Sequence, residues 1–364
     1  MSKKHRHMAA MEPTVWARPV YRPRGEPTRR GWLVLGENGG ACDQHCQMCY
    51  FAHQKQRRFY TLETMIGMAN RQRHYYGLNA TDISGGEPTV YPDIRALVQH
   101  CAHIGLEPTI ITHGQNSTPD MVDGIEAAGL EYWKVSLHGL QTGHNAAVQR
   151  DDAWQRLVGN LRNYHRPVHF NTTVLKDNAA ELPALARFLI DAQPPTVWNL
   201  ITFNPFWDWQ GQEHIEFQVQ YTTAAPYYAE AITLAQRAGW EVNARYFPPC
   251  VAAQQGFEAN CIDFYGTQWD PWEWDLLATN RAPMPVRGGL GEYSAAVVLA
   301  RRELCDQIAR SRANERCDTC RFHPICEGPT EQYQRQYGLD ELRPATGDPV
   351  HDILYFERGG KFDD

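Results

Sequence analysis

Hydrophobic and polar residues follow two alternating periods along the first part of the chain. Short apolar runs bounded by glycine, such as residues 32–35, have the composition of strands. Each is followed by a longer stretch whose apolar residues recur on one helical face, and in residues 92–104 this face ends at Gly105. Six such strand–helix units follow one another at a spacing of roughly thirty residues.

The order of these units predicts the fold. We expect a strand at 32–35 and a second strand that ends at residue 83. Further strands are expected at 109–112, 132–137, 168–174 and 197–203. We expect helices at 61–75, 92–104, 119–128, 153–164, 179–191 and 222–238. Repeated right-handed crossovers place the strands in a parallel sheet, and six units fall short of the eight that close a barrel. The sequence therefore predicts an α/β fold with a partial (βα)6 TIM-like barrel, in which ligands gather at the carboxyl ends of the strands.

The regular pattern stops near residue 240, where a stretch rich in Pro, Gly and Trp begins. We therefore predict three parts: a basic, flexible segment at 1–29, the barrel at 30–240, and a small C-terminal domain with its tail at 241–364. Residues 1–30 carry eight Lys or Arg against two Glu, whereas the whole chain has a net charge of −7. The acidic body disfavours nucleic acid as a partner.

Composition indicates a compartment in which thiols stay reduced. With 364 residues, of which 43% are hydrophobic, the chain can bury a sizeable core. No apolar run reaches the ~20 residues that span a bilayer, and the N-terminus lacks the apolar stretch of a signal peptide. Ten cysteines in a chain of this length do not resemble the disulfide framework of a small secreted domain. We predict a cytoplasmic location and no membrane partner.

Three cysteines directly after the first strand are the strongest candidates for chemistry. Cys42, Cys46 and Cys49 have the spacing Cys-x3-Cys-x2-Cys. Thiolates are soft ligands that suit Fe–S clusters, zinc and Cu(I). Three thiolates on a 4Fe–4S cluster leave one iron open for an outside ligand. A structural zinc would need a fourth ligand, for which His45 is the nearby candidate.

A glycine-rich turn follows the second strand at residues 84–88. Gly85 and Gly86 allow backbone to approach a ligand closely, and Glu87 adds an acceptor before Pro88. Together with the three cysteines, and with Met48 before the last of them, this turn resembles the radical S-adenosylmethionine (radical SAM) superfamily. The resemblance implies a (βα)6 barrel over about residues 30–240. By itself, a Gly-Gly-Glu-Pro sequence is a weak signal, and an ordinary strand-to-helix turn is its default interpretation.

The resemblance also implies the cofactors and the reaction. A 4Fe–4S cluster on the three cysteines would bind the amino and carboxylate groups of S-adenosylmethionine (SAM) at its open iron. One electron, from a donor such as flavodoxin or ferredoxin, would then cleave SAM to methionine and a 5′-deoxyadenosyl radical, which abstracts a substrate hydrogen. In similar enzymes the Gly-Gly-Glu-Pro turn binds the SAM amino group, so the resemblance assigns a cofactor-binding role to Met48, Gly85, Gly86, Glu87 and Pro88.

Polar residues at other strand ends complete the predicted SAM pocket. In similar enzymes a serine on the fourth strand and residues on the fifth contact the SAM ribose and carboxylate, which implies these roles for Ser136 and Asn171. Arg150 follows the fourth strand, and a guanidinium can pair with a carboxylate through two parallel hydrogen bonds. His113 and His138 also lie at strand ends, where a histidine is as often structural as reactive. His113 departs from the Asn that is usual at that family position.

A second group of cysteines lies near the C-terminus. Cys317, Cys320 and Cys326 have the spacing Cys-x2-Cys-x5-Cys, which resembles the auxiliary-cluster domain called SPASM or its shorter twitch form. The resemblance implies one auxiliary 4Fe–4S cluster, because the seven cysteines of a full SPASM domain are not present. We favour Cys250 as the fourth ligand and keep Cys261 and Cys305 as alternatives. A zinc ion on the same cysteines is the competing interpretation.

These features predict a radical SAM enzyme acting on a small molecule such as a sugar, nucleoside or amino acid. Oxidation, rearrangement or formation of a C–C or C–X bond would be aided by the auxiliary cluster. Modification of a ribosomally made peptide is the alternative, and the roughly thirty residues before Trp32 are fewer than a typical leader-binding domain. A non-catalytic Fe–S or zinc protein is the alternative from another class.

Overall fold

A computed structural model describes most of the predicted barrel and part of the C-terminal region. The described residues are 19–20, 28–37, 39–49, 51, 57–75, 78–203, 214–262, 315–323, 326 and 328–350. Cys305 and most of the basic N-terminal segment lie outside them, so predictions for these parts stay predictions.

The strands and helices follow the predicted order. The strands are β1 Pro19–Val20, β2 Thr28–Val34, β3 Gly36–Glu37, β4 Arg58–Phe59, β5 Ala80–Ser84, β6 Glu107–Thr112, β7 Tyr132–Ser136, β8 Val168–Val174, β9 Val197–Thr202, β10 Glu241–Arg245 and β11 Cys261–Ile262. The helices are α1 Leu62–Asn70, α2 Ile94–His103, α3 Pro119–Ala127, α4 Gln141–Val148, α5 Ala153–Asn160, α6 Leu182–Ala192, α7 Tyr221–Arg237, α8 Pro249–Ala253 and α9 Glu331–Tyr337.

One sheet of nine strands has the order β1-β2-β5-β6-β7-β8-β9-β10-β11. Within this sheet, as far as the described residues show it, β1 pairs antiparallel with β2 and the other neighbouring strands pair parallel. The seven longer parallel strands form a curled half-barrel, which confirms the predicted partial TIM-like barrel. The sheet also continues past residue 240 through β10 and β11, while the predicted domain boundary there stays a prediction.

Side chains on the strands alternate between the helix-packed core and the barrel interior. Phe170 of β8 and Trp198 of β9 are fully buried and share one core cluster with Leu185 of α6 and Tyr228 of α7. Successive strand residues point to opposite faces. Residues next to these aromatic side chains, such as Asn171 and Asn199, therefore face the interior. The core holds the sheet against its helices and leaves polar groups inside.

A buried ion group occupies the interior between β2, β5 and β7. The Asp82 carboxylate lies 3.1 Å from Arg30 Nη1 and 2.6 Å from Lys134 Nζ. Burial opposes ionisation of Asp82, but the charges of Lys134 and Arg30 outweigh it and lower its pKa to about 2. Removing one member of such a group leaves an unpaired buried charge, so the three side chains constrain how these strands come together.

Candidate active site

The loop that carries Cys42, Cys46 and Cys49 lies against the carboxyl ends of several strands. Main-chain bonds hold it on two sides: Glu87 N donates to Ala41 O at 2.9 Å, and Gln47 N donates to Ala147 O of α4 at 3.0 Å. We call residues 39–49 the cluster loop and residues 84–88 the glycine turn. The structure therefore brings together two motifs that lie about forty residues apart in the sequence.

Both glycines of the glycine turn are required by its contact with the cluster loop. A Cβ atom on Gly86 would lie 1.8 Å from Ala41 O, and one on Gly85 would lie 2.3 Å from Gly39 O. Gly85 also has a φ of +130°, a conformation that other residues rarely adopt. In addition, Gly86 N donates to Gly39 O. Close packing of backbone on backbone thus explains the Gly-Gly pair without reference to a ligand.

The Glu87 carboxylate is buried and accepts hydrogen bonds from two neighbouring segments. It accepts from Thr89 Oγ1 at 2.6 Å and from Thr89 N at 3.0 Å within its own turn. It also accepts from Thr112 Oγ1 at 2.7 Å and from His113 N at 2.9 Å at the end of β6. Glu87 therefore links the ends of β5 and β6.

Asp43 joins the cluster loop to the same strand end. Its carboxylate oxygens lie 2.7 Å from His113 Nε2 and 2.9 Å from Asn116 Nδ2. The hydrogen bond from His113 holds the pKa of Asp43 well below its ordinary value. Burial opposes charge on His113, but the carboxylates of Glu87 and Asp43 outweigh it and raise the pKa of the imidazole.

The three cluster-loop thiols are suited to hold a metal centre. All three are partly buried and free of disulfides. Burial raises the pKa of Cys42 to about 11 and that of Cys46 further, which favours the protonated form of these two thiols in the absence of a metal. A metal replaces these protons because thiolate is the ligand form. Gln44 N lies 3.4 Å from Cys42 Sγ and can donate to it, which favours the thiolate. The donor set fits a thiolate-bound cluster.

A small apolar cluster lines the other side of the loop. Met48 of the cluster loop packs with Ala147, Leu175 and Phe203, and Cys46 contacts the same group. These residues come from α4 and from the segments that follow β8 and β9. The cluster covers one side of Cys46 with apolar side chains.

The predicted SAM contacts Ser136 and Asn171 face the interior side by side. They are register partners on β7 and β8, and Asn171 is in turn the partner of Asn199 on β9. Asn243 on β10 continues the line as the partner of Asn199. We call these four side chains the polar row. Their role in binding SAM stays a prediction.

Arg150 lies near the cluster loop but already has an acidic partner. Its Nε donates to Asp152 Oδ1 at 2.6 Å, and this bond raises the pKa of the guanidinium. Its charge also reaches the loop, because the Asp43 carboxylate helps to raise the pKa of the guanidinium. His138 is held differently: its Nδ1 accepts from Thr173 N at 3.1 Å, and burial lowers its pKa to about 4. The imidazole of His138 is therefore neutral.

Four of the predicted auxiliary-cluster cysteines line one cavity. Its lining includes Pro248, Phe322 and His323 besides the thiols Cys250, Cys317, Cys320 and Cys326. Main-chain N–H groups of Gly328 and Ala345 each lie 3.4 Å from a sulfur of this set. A hydrogen bond from Cys250 lowers the pKa of Cys320.

The other two candidates for the fourth ligand differ from Cys250. Cys261 is fully buried on β11 and is not part of the cavity lining. Cys305 lies outside the described residues. Cys250 is therefore the candidate that lines the cavity, and four thiols, of which Cys320 and Cys326 receive backbone hydrogen bonds, fit a second thiolate-bound centre.

Sequence reasoning missed several residues of this site. Helix α4 was not predicted, although it holds Gln47 and packs on Met48, because a short helix with no side-chain cap at its N-terminus leaves a weak pattern. Asp43 and Asn116 were also missed, since their contact joins positions 73 residues apart. The available signal was the placement of Asp43 inside a metal-binding motif and of Asn116 after a strand end.

Comparison with known families agrees with this geometry. Residues 39–189 match the model of the Radical SAM superfamily, and the chain therefore contains a radical SAM domain. This range includes the cluster loop, the glycine turn, Ser136, Arg150 and Asn171. Members of this superfamily are enzymes.

The relatives of this chain have several different names. It is 25% identical over 159 residues to "PqqA peptide cyclase" of Methylorubrum populi, a match that covers 41% of this chain and 40% of that protein. It is 23% identical over 145 residues to "Probable GTP 3′,8-cyclase" of Saccharolobus solfataricus, covering 39% of this chain and 47% of that protein. The match therefore spans less than half the length of these two curated relatives.

Among solved structures, Streptococcus suis SuiB bound to S-adenosylmethionine is similar. The sequence identity is 19% and the TM-score is 0.49, and the match covers 59% of this chain and 50% of SuiB.

Proposed function

We propose that this chain is an enzyme that uses a 4Fe–4S cluster and SAM to abstract a hydrogen atom from a small-molecule substrate. Cys42, Cys46 and Cys49 would hold the cluster. The observation that carries the proposal is the packing of the cluster loop on the glycine turn at the carboxyl ends of the strands, where ligands of such barrels bind. When bound, the cluster and SAM supply a reductive cleavage that generates the hydrogen-abstracting species.

The protein would contribute binding, orientation and protection from solvent. The apolar cluster around Met48 would keep water from one side of Cys46. The glycine turn would support the cluster loop through its backbone bonds, and Ser136 and Asn171 would offer side-chain groups on the interior face. The guanidinium of Arg150, held by Asp152, places a positive charge near the loop, where it would attract the carboxylate of the methionine part of SAM.

We further propose one auxiliary 4Fe–4S cluster on Cys250, Cys317, Cys320 and Cys326. Its support is the convergence of four thiols on one cavity. A centre there would accept the electron that remains on the substrate after hydrogen abstraction, which favours oxidation or bond formation. An electron donor such as flavodoxin or ferredoxin is proposed for the first cluster, in a cytoplasmic setting. Among the described residues, no helix has both the length and the apolar character needed to cross a bilayer.

A second candidate is modification of a peptide. One relative carries the name peptide cyclase, while another is named for a nucleotide reaction, so both substrate classes have support. We expect the substrate to increase the yield of 5′-deoxyadenosine, because a bound substrate is a better hydrogen donor than its surroundings. Pools of small metabolites and of peptides, tested separately, would distinguish the two candidates.

The test is anaerobic incubation of reconstituted protein with SAM and a reductant, followed by measurement of 5′-deoxyadenosine. We expect the wild type and Cys101→Ala to form it, because Cys101 lies in the hydrophobic core away from the cluster loop. Cys42→Ala should form none. A wild type that never forms 5′-deoxyadenosine and behaves like Cys42→Ala would refute the proposed function.

A further inference from the structure

The imidazole of His113 lies between carboxylates from both motifs of the site. Its Nε2 is 2.7 Å from Asp43 Oδ1 of the cluster loop and 3.4 Å from Glu87 Oε2 of the glycine turn. His113 is buried, with only 7% of its surface exposed, and Glu87 is 1% exposed. We call these three residues the His113 bridge. It connects the two motifs through side chains, in addition to their backbone contacts.

The neighbours of the ring fix which nitrogen donates. Gln115 N donates to His113 Nδ1 at 3.1 Å, so Nδ1 is an acceptor and Nε2 carries the proton. The proton on Nε2 is therefore directed to Asp43, whose second oxygen accepts from Asn116 Nδ2 at 2.9 Å. Both oxygens of the Asp43 carboxylate are held, and its orientation is set by the end of β6.

This orientation matters because Asp43 directly follows a predicted cluster ligand. Ligand atoms of Cys42, Asp43 and His113 all lie within 4.8 Å of one another. A carboxylate that close to a cluster sulfur changes the electrostatic potential at the cluster, since charges interact strongly at short range in partly buried surroundings. If Asp43 were released, both the conformation of the cluster loop and the position of this negative charge would change.

We propose that His113 is a positioning residue that fixes the cluster loop on the glycine turn and holds the Asp43 carboxylate at a set distance from Cys42. This inference rests on the proposed function, because it concerns the cluster that the loop would bind. Residues that orient metal ligands through hydrogen bonds commonly change metal affinity or activity by about 10- to 100-fold when they are lost.

The length of the side chain explains why histidine is suited to this position. The donor that reaches Asp43 is Nε2, and the nearer Nδ1 is occupied by Gln115. A glutamine at this position places an amide nitrogen where Nε2 lies, whereas an asparagine reaches only as far as Nδ1. A glutamine at position 113 should therefore preserve the hydrogen bond to Asp43, and the shorter asparagine should not.

The experiment compares His113→Gln and His113→Asn in the full chain, reconstituted under anaerobic conditions. We measure SAM affinity by equilibrium dialysis and the midpoint potential of the first cluster by EPR-monitored titration. Both variants, and the reference protein with His113 intact, carry Cys317→Ala. This substitution removes a ligand of the proposed auxiliary cluster, so that one cluster is observed. We expect His113→Asn to weaken SAM binding at least about tenfold and to shift the potential, while His113→Gln stays within about twofold.

Asp43→Asn changes the other partner of the hydrogen bond between His113 and Asp43. It removes the negative charge near Cys42, so we expect a more positive midpoint potential with the same EPR spin count. Equal affinities and equal potentials for the reference, His113→Gln and His113→Asn would overturn the proposal. An equal loss of SAM affinity in His113→Gln and His113→Asn would also overturn it, because this would indicate a general packing role for His113.

A double-mutant cycle on the cluster-free chain tests this proposal separately from the proposed function. The thermal midpoints of the wild type, His113→Asn, Asp43→Asn and the double variant are compared. We expect the two single effects to be non-additive, because the residues share one hydrogen bond. If the wild type binds no cluster, the proposed function fails, and additive effects in this cycle would then also refute the His113 bridge.

Discussion

Asn199 on β9 donates its side-chain amide to Asn171 Oδ1 on β8 at 2.9 Å. The next amide follows the same direction, because Asn243 on β10 donates to Asn199 Oδ1 at 3.0 Å. The bonds form a chain that leads from β10, next to the edge strand β11, toward Ser136. The chain orients Asn171, one of the residues for which we propose a contact with SAM.

The polar row predicts that two substitutions within it differ in their effects on stability and on SAM binding. Asn199→Leu keeps the shape of the side chain but removes both bonds of the row, whereas Asn243→Leu removes the outer one and a 3.5 Å contact with Glu241 Oε1. Leaving a buried polar group unpaired costs about 1–3 kcal/mol, so we expect Asn199→Leu to be the more destabilising and to weaken SAM binding more. Urea unfolding and equilibrium dialysis would measure the two effects. Equal effects of the two variants would contradict the proposed order.

The contact between the glycine turn and the cluster loop predicts a severe effect of one methyl group. In Gly86→Ala the new Cβ would lie 1.8 Å from Ala41 O, so one of the two backbones must move. We expect loss of bound iron and a destabilisation of at least about 2 kcal/mol. Iron analysis and thermal unfolding would test this.

Gly159→Ala is the matched control for that variant. Gly159 lies in α5, and its added Cβ would have nothing within 4 Å. Alanine is favoured over glycine inside a helix by about 1 kcal/mol, so this variant should keep its iron and be slightly more stable. A similar loss of iron in both variants would show that the cluster loop is sensitive to any change in stability.

The buried ion group predicts a pH dependence of stability. The folded-state pKa of Asp82 is lowered to about 2, below the ordinary value of about 3.9. Its contribution is therefore present above about pH 4 and is lost as the pH falls toward 2. Unfolding by urea between pH 5 and pH 2 should show a decrease in the free energy of unfolding that is smaller in Asp82→Asn.

The same substitution also changes stability at neutral pH. Asp82→Asn leaves Arg30 and Lys134 without their shared partner, and breaking a buried pair in this way typically costs about 3–5 kcal/mol. Asp120→Asn is a suitable control, because Asp120 pairs with Arg95 on the surface, where such pairs contribute about 0–1 kcal/mol. Equal losses in the two variants would contradict the importance of the buried group.

The cavity around the C-terminal cysteines predicts which thiol binds iron. Wild type with two clusters should contain roughly eight irons, and Cys250→Ser should retain roughly four. Cys261→Ser should keep the full content, because Cys261 does not line the cavity. Iron, sulfide and zinc analyses would decide among the alternatives. Stoichiometric zinc that disappears in Cys250→Ser would indicate a zinc site instead.

Much of the fold could be predicted because local patterns determine it. Periods of apolar residues marked the six strand–helix units, and the partial barrel follows from their order. The prediction missed that β10 joins the same sheet, because its five residues lie at the start of an irregular stretch. It also missed α4, whose place depends on contacts with the cluster loop.

The candidate site was only partly accessible from sequence, for a similar reason. The cysteines and the glycine turn are short motifs, so their spacing could be recognised directly. The role of His113 depends on Asp43, seventy positions away, and a single sequence contains no signal for such a pair. The polar row likewise becomes visible only when the register of β7, β8, β9 and β10 is known.

The close approach of Gly85 and Gly86 to the carbonyls of Gly39 and Ala41 has a consequence for protein engineering. The backbone surfaces of the two motifs are complementary in shape, so neither motif can be transplanted into another scaffold alone. A chimaera that imports the cysteines must also import the turn that supports them.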